Sequence, residues 1–489
     1  MPSRKTFCLI FYSLCIILSS NVMATAEFAI KDAVVPDQKS QEEADIREWN
    51  NQIRREKFDM VLPIAMQKND VDMWIHVMRL AIPDDFGAEE LGSTSGVFVF
   101  TDRGGGRIER AVLGRRWGAT HREWGEKDHE LVEECGAYDI IDKPIFVKEP
   151  LGSPVTEYDV RFKGLREFIE ARDPKRIAVN FKLQLGPWET YIDFGGARDG
   201  MSHTDYILLT QEIGKKYASR LVSSEYVIMD YIINKVPSEI KLLKKIRKDN
   251  IDRIMKAFNS IEPGVTKRRD VRLTVFRRTK TGESQRGRSS GFGSDRIERG
   301  DIVAAPSQGM YAYVLREGES EPPPEIQKLW AEYLKIDKVL AETIKAGLTP
   351  REIKKNYTKK FEELGIIVRD DQMHMFTPKN DYPAYMAGYD PGKTHLSIDC
   401  HGMMKGARKR PEENYHGPRV SSYGPTWTWD IPLPPHHHFV LEYFFYMPSP
   451  TSDQDEDQYL FWWDHEQALA TESGVEYLSP PQKELFLIK

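Results

Sequence analysis

Residues 438–446, HFVLEYFFY, set one carboxylate, Glu442, inside a run that is otherwise apolar or aromatic. Such a run reads as a strand, and a carboxylate within it is costly unless it is paired, protonated or bound to a metal ion. Two neighbouring stretches offer partners: THLSIDCHG (394–402) carries His395 and His401, and WWDHEQALAT (462–471) carries Glu466. Further strand-like pieces are expected at Tyr459–Trp463 and Gln467–Thr471, with acidic Ser452–Asp457 as an exposed hairpin tip. One imidazole and two carboxylates can coordinate a divalent cation and leave positions open for water, as hydrolytic metal sites require. The competing account is a set of satisfied structural polar groups, because residues spread over about seventy positions form no local motif.

His436-His437-His438 precedes the same strand. Alternation sends His437 away from its two neighbours, and Pro434-Pro435 suggests a loop entry, so this tract is expected at the surface without a metal. Walker, His-Glu-x-x-His and Cys-x-x-Cys signatures are absent from the sequence, which removes the common marks of nucleotide enzymes, zincins and zinc ribbons.

Working outward, Arg54 to Asn180 alternates helix-like stretches with short β-rich runs at Val71–Val77, Gly96–Thr101 and Arg176–Asn180, the pattern of an α/β domain. Gly104-Gly105-Gly106 separates two of the strand-like runs and reads as a hairpin or loop, since a phosphate cradle would need a following helix. A boundary is expected near 225–238, where the β-rich run Tyr226–Ile233 gives way to a helix start at Pro237-Ser238. Ile251, Ile254, Phe258 and Ile261 then recur at helical spacing until Pro263-Gly264. A second helical block, Pro324–Leu364, contains Thr349-Pro350, a cap followed by proline at the first helical position.

The 489 residues carry 69 Lys and Arg against 75 Asp and Glu, a net charge of −6, with 40% apolar and 29% charged side chains. That balance excludes a disordered chain and a multispanning membrane protein. It also gives no overall basic footprint for nucleic acid. Lys267–Arg299 holds eleven Lys and Arg against four Asp and Glu and is read as a solvated basic loop, with attachment to an anionic surface as the alternative. Residues 1–26 place Arg4 and Lys5 before a twelve-residue apolar run, Phe7–Leu18, and then Ala24-Thr25-Ala26. This is the layout of a cleavable secretory signal, and the apolar run is short of the roughly 20 residues needed to span a bilayer. A mature chain starting near Glu27 keeps only Cys135 and Cys400, which are expected as small buried hydrophobes rather than a disulfide framework.

Seven strings in order, SSEYVIMDYIINKVPSEIKLLKKI (223–246), IEPGVTKRRDV (261–271), IERGDIV (297–303), YAYVLREGE (311–319), THLSIDCHG, FVLEYFF (439–445) and HEQALATESGVEYLS (465–479), resemble the creatinase and Xaa-Pro aminopeptidase family. The resemblance covers roughly 54–489. It implies an α/β N-terminal domain followed by an α+β pita-bread domain, divided as 1–26 signal peptide, 27–234 N-terminal creatinase-like domain and 235–489 metallopeptidase-like domain. Active members bind two divalent ions through two aspartates, one histidine and two glutamates, and hydrolyse the bond before proline with metal-activated water. Carried over, His395 falls at the metal histidine, Glu442 and Glu466 at the two glutamates, and His401 at the histidine that contacts substrate.

The two aspartates have no counterpart. Between the Gly-Asp that ends in Asp301 and the Tyr-Val-Leu-Arg that follows, the interval AAPSQGMYA (304–312) contains no carboxylate, and Ile302–Leu315 offers only fourteen residues for two strands and a turn. A bridging carboxylate holds two dications together, so its loss implies one ion of manganese or zinc at most. Asp464, Asp399 and Glu317 are the acidic residues that could substitute. The expectation is therefore an exported peptidase-family protein, periplasmic or secreted, with impaired hydrolysis of proline-containing peptides. The alternative is a noncatalytic relative that binds peptides or a protein partner. The resemblance also implies a homodimer, and no membrane span is expected after signal cleavage.

Overall fold

The computed structural model describes residues 36–78, 86–118, 122–147, 161–181, 200–276, 279–280, 296–369, 392–403, 415–421, 429–448 and 458–489. The expected secretory signal, the hairpin tip at 452–457 and most of the basic loop lie outside these residues. Contacts divide the chain into two compact units, 1–50 and 51–489. The described part of the first belongs to a helix, Pro36–Met60, that continues into the second. Among the described residues no helix is long and apolar enough to cross a membrane.

Within the second unit, six strands form one mixed sheet: β1 (Met73–Val77), β2 (Val97–Asp102), β3 (Ile108–Leu113), β4 (Ile140–Ile141), β5 (Ile177–Val179) and β6 (Leu221–Ser223), in the order β4-β3-β2-β1-β5-β6. The central strands β1 and β5 are buried along their whole length, which is why they appear in the sequence as continuous apolar runs without alternation. Gly104, Gly105 and Gly106 all take positive φ and turn β2 into antiparallel β3, the hairpin expected of them.

The run Tyr226–Ile233 is a helix, α1 (Glu225–Ile233), and not the β-rich segment expected. Every residue from Val227 to Ile233 is buried, so no polar face marks the helical period and composition alone suggests a strand. After it, α2 (Pro237–Asn259) begins at the expected proline and ends just before Pro263-Gly264. The second helical block resolves into α3 (Pro324–Thr343) and α4 (Pro350–Glu363). Thr349 caps α4 through the Glu352 N–H, and the Glu352 carboxylate accepts in return from the Thr349 N–H, a reciprocal capping box.

Two further sheets come from residues 274–488. The smaller joins β7 (Thr274–Phe276), β8 (Ile302–Ala305), β9 (Met310–Val314) and β16 (Phe486–Ile488) in the order β16-β9-β8-β7. The larger is built on β11 (His395–Met403), β13 (His438–Pro448) and β14 (Gln458–Thr471). β10 (Ile367–Arg369) and β12 (Tyr415–Ser421) both pair with β11, and β15 (Gly474–Tyr477) and a short strand at Thr279–Lys280 pair with β14. One face of this sheet, carrying Ile398, Cys400, Leu441, Tyr443 and Trp462, shares a core with Leu329, Tyr333 and Leu340 of α3 and Tyr357 and Phe361 of α4. Helices on one face of a mainly antiparallel sheet give the mixed α/β content expected. Cys135 and Cys400 are buried free thiols.

Candidate metal centre

The register of the larger sheet decides which side chains meet. β13 and β14 are antiparallel, with Glu442 opposite His465 and Leu441 opposite Glu466. β11 and β13 are antiparallel, with Ile398 opposite Tyr443 and His401 opposite Val440. Because side chains alternate across a sheet, Asp399, His401, Glu442 and His465 project from the face away from the Tyr443 and Trp462 core. Directly facing Cβ atoms on neighbouring strands lie about 4.5–5.5 Å apart, close enough for short polar side chains to converge.

They do converge. His401 Nε2 lies 3.1 Å from Glu442 Oε2, and His465 Nε2 lies 3.8 Å from the same oxygen. Each of the three can bring a ligand atom within 4.8 Å of the others, and among the described residues they are the only group of three His, Cys, Asp or Glu side chains that does so. Donors at 2.0–2.1 Å from a tetrahedral ion would be separated by about 3.4 Å, so the two distances bracket what one ion needs. His401 Nδ1 lies 3.3 Å from the Gly402 carbonyl. In the tautomer that donates there, Nε2 presents its lone pair toward Glu442, the orientation a metal-ligating imidazole takes when its other nitrogen is held by a carbonyl. Burial lowers the pKa of His465, with the Glu442 charge opposing and His401 reinforcing the shift, so its imidazole is kept neutral and able to donate a lone pair. Two neutral imidazoles and one carboxylate are a chemically suitable donor set for a divalent ion.

The expected residues divide. Glu442 and His401 come together in this group, and His465 joins them. His395 lies on the same strand six residues before His401, which at about 3.3 Å per residue places it roughly 20 Å away; its partner across the sheet is Tyr446. Glu466 projects from the opposite face. There Nη2 of Arg247 of α2 forms an ion pair with Glu466 Oε1 and donates to the Gln308 carbonyl at 2.6 Å, while Nη1 donates to Gln308 Oε1 at 2.7 Å and Nε to Ser479 Oγ at 3.1 Å. Both side chains are almost fully buried. Burial pushes the Glu466 carboxyl upward and the Arg247 guanidinium pulls it back.

The β8–β9 hairpin packs on that same carboxylate. A turn at Pro306–Gln308 leads into Gly309, whose φ is +52° and where a Cβ would lie 2.0 Å from Glu466 Oε2. Glycine is needed there on both counts. Of the acidic residues that could have filled vacant ligand positions, Asp464 is on the helix side with Tyr311 Oη donating to it at 2.5 Å, and Glu317 is on an exposed turn. Only Asp399 stands on the same face as Glu442, and it is held by Arg419 of β12, whose Nε donates to Oδ1 at 2.5 Å and whose Nη2 pairs with Oδ2.

The histidine tract differs from its expected surface position. His437 and His438 are buried, and His438 Nε2 sits 3.2 Å from Gln467 Oε1. Burial, reinforced by the nearby Lys235 charge, pulls the pKa of His437 down to about 4. The tract therefore holds buried neutral imidazoles, with only His436 exposed.

No family model matches the chain, and no curated protein matches it in sequence. Solved structures do match in shape. The X-Pro aminopeptidase from Thermotoga maritima MSB8 superposes with a TM-score of 0.50 at 14% identity, over 87% of this chain and 100% of that one. An Xaa-Pro dipeptidase from Bacillus anthracis gives a TM-score of 0.49 at 14% identity, over 89% and 99% of the two chains. With its mainly antiparallel sheet backed by α3 and α4, this chain has the pita-bread fold of the X-Pro aminopeptidase structure.

Proposed function

We propose that this protein is a mononuclear metal-dependent hydrolase of peptides, with proline-containing peptides as the substrate class. The convergence of His401, Glu442 and His465 on one point is the observation that carries this reading. A bound divalent ion would supply Lewis acidity toward the scissile carbonyl and toward water. The chain's own part is to hold that ion. Glu442 supplies the anionic oxygen that both imidazoles face, Gly402 fixes the tautomer of His401, and the β13–β14 register aims His465 at the same oxygen. Two imidazoles with one carboxylate and open positions form a set well suited to catalytic zinc. Manganese, lowest in affinity for nitrogen-rich sites and better served by oxygen ligands, fits less well.

The proline preference rests on the fold shared with the Thermotoga X-Pro aminopeptidase, and fold alone does not dictate chemistry. The reading includes export with loss of residues 1–26 and assembly as a homodimer. A second reading, a noncatalytic relative that keeps the cleft for binding a peptide or protein, is favoured by one specific observation: Glu466 is committed to Arg247 and to the shortened hairpin. Cleavage of Xaa-Pro dipeptides by the purified protein, with zinc or manganese added, separates the two. Turnover abolished by Glu442→Ala supports the hydrolase. A zinc-loaded protein that binds such peptides without cleaving them supports the binding protein.

A further inference from the structure

Two adjacent tryptophans on β14 face opposite ways, because side chains alternate along a strand. Trp462 is fully buried on the helix side, where its ring centroid lies 4.4 Å from that of Tyr311 and 5.5 Å from that of Tyr333. Trp463 shares the face of His465, two residues further on, and pairs across the sheet with Phe444, which is two residues from Glu442. The row formed by Glu442 and His465 therefore has an aromatic row directly beside it. The rings of Phe444 and Trp463 are nearly parallel, 16° apart with centroids at 6.1 Å, and the Trp463 ring lies 6.5 Å from that of His465 at an angle of 69°. The indole thus flanks the imidazole without lying flat on it. Phe444 is 2% exposed and backs the stack, whereas Trp463 is only half-buried. Ligand pockets combine aromatic walls with a few convergent polar groups, and these two rows have that composition.

We infer that Trp463 is a specificity-determining residue: its indole receives the side chain of the residue that bears the scissile carbonyl, and it favours an aromatic one. The inference deepens the hydrolase reading above and rests on it. A carbonyl brought to the point where His401, Glu442 and His465 converge carries two neighbours within a few bonds, the proline ring and the side chain of the preceding residue. Only the second varies between Xaa-Pro peptides, so only it can be selected. The row on the other side of Glu442 and His465, Val440 with Gln467, has no aromatic ring. Over Trp463, by contrast, a substrate ring extends a stack that Phe444 already holds in place. One added aromatic pair is worth a factor of about two to ten in affinity, beyond the gain from burying its area.

The test is calorimetric binding of two uncleavable dipeptide analogues to the zinc-loaded full chain. These are Phe-Pro and Ala-Pro with the proline nitrogen replaced by carbon, which keeps the carbonyl and removes the scissile amide. Zinc content is measured on the same samples, in the wild type, Trp463→Thr and Trp463→Phe. The wild type should prefer the Phe analogue by about tenfold or more, and Trp463→Thr should reduce that preference to about twofold or less. Trp463→Phe, which keeps a ring, should restore most of it, and all three proteins should hold the same zinc. Should Trp463→Thr fail to fold by circular dichroism, Trp463→Val, also suited to a strand, carries the same comparison. A preference unchanged in the folded Thr or Val variant would overturn the inference and leave the zinc centre intact. So would a zinc-loaded wild type that binds both analogues equally or binds neither. A wild type without zinc would instead overturn the hydrolase reading on which the inference rests.

Discussion

Glu442 and Glu466 stand on adjacent strands yet project to opposite faces of one sheet, because Glu442 pairs with His465 and Glu466 pairs with Leu441. One face holds the His401, Glu442 and His465 group; the other holds a buried ion pair with Arg247. Two carboxylates that the family resemblance assigns to the same ion therefore have different surroundings, Glu442 beside two imidazoles and Glu466 in an ion pair with Arg247.

The first prediction follows from that division. His465→Ala should weaken zinc binding by at least about 100-fold, since loss of even an outer partner of a metal ligand costs 10–100-fold. Glu466→Gln should leave zinc affinity within a few-fold of wild type. Competition with a chromogenic chelator measures both, and the opposite ranking would restore Glu466 as the ligand.

Stability should respond the other way. Arg247 and Glu466 are 3% and 2% exposed, so removing one partner leaves an uncompensated buried charge, at a cost of about 3–5 kcal/mol. Arg247→Met should lower the urea midpoint accordingly. The double variant Arg247→Met with Glu466→Met should recover a substantial part of the loss, because two apolar groups need no partner. Additive losses in the double-mutant cycle would show that the two residues are not coupled.

How far the sequence was readable depends on whether local chemistry or pairing register decides. Thr349, Pro350 and Glu352 announce the start of α4 because capping is settled within four residues. The strand through Glu442 is legible from its β-rich composition. By contrast, α1 hides its period because burial on all sides leaves no polar stripe. That His465 rather than Glu466 faces Glu442 has a different origin. A slip of one residue reverses every side chain on a strand, and the register between β13 and β14 is set by pairing over eleven residue pairs rather than by any local signal. Alternation from Glu442 would have exposed His465 only once that pairing was known. His395 illustrates the same point along the strand, since sharing a face with His401 does not bring it within reach.

Two groups, one buried and one half-buried, give stability opposite pH dependences. His437 has a folded pKa of about 4 against 6.5 when unfolded, so the unfolded chain takes up the proton first. Its contribution is fully present above pH 6.5 and is lost as pH falls toward 4, about 3 kcal/mol in all. Both carboxylate oxygens of Asp337 of α3 lie 2.7 Å from Tyr477 Oη, whose single proton they share, but burial raises the carboxyl to about 6 from 3.8. Its contribution is present below the unfolded value and is lost as pH rises through 6, again about 3 kcal/mol. Chemical denaturation from pH 4 to 7 should therefore show a shallower acid loss in His437→Gln and a steeper one in Asp337→Asn. Parallel curves for all three proteins would refute both assignments.

Gly309→Ala should be among the costlier glycine substitutions. The residue has φ +52°, and its new methyl would meet Glu466 Oε2 at 2.0 Å, so the β8–β9 hairpin or the Arg247 pair must move. A loss of about 2 kcal/mol or more is expected from backbone strain and displacement of a buried carboxylate. Gly105→Ala, whose Cβ would meet nothing within 4 Å, isolates the backbone contribution in the same denaturation series.

Zinc content per chain, measured after exhaustive dialysis of the full-length protein against a zinc buffer, tests the central claim most directly. One tightly held ion is predicted in the wild type and in Glu466→Gln, and none in Glu442→Ala or His465→Ala. A wild type without zinc, or retention of the ion after His465→Ala, would contradict the assignment of His401, Glu442 and His465 as a metal centre.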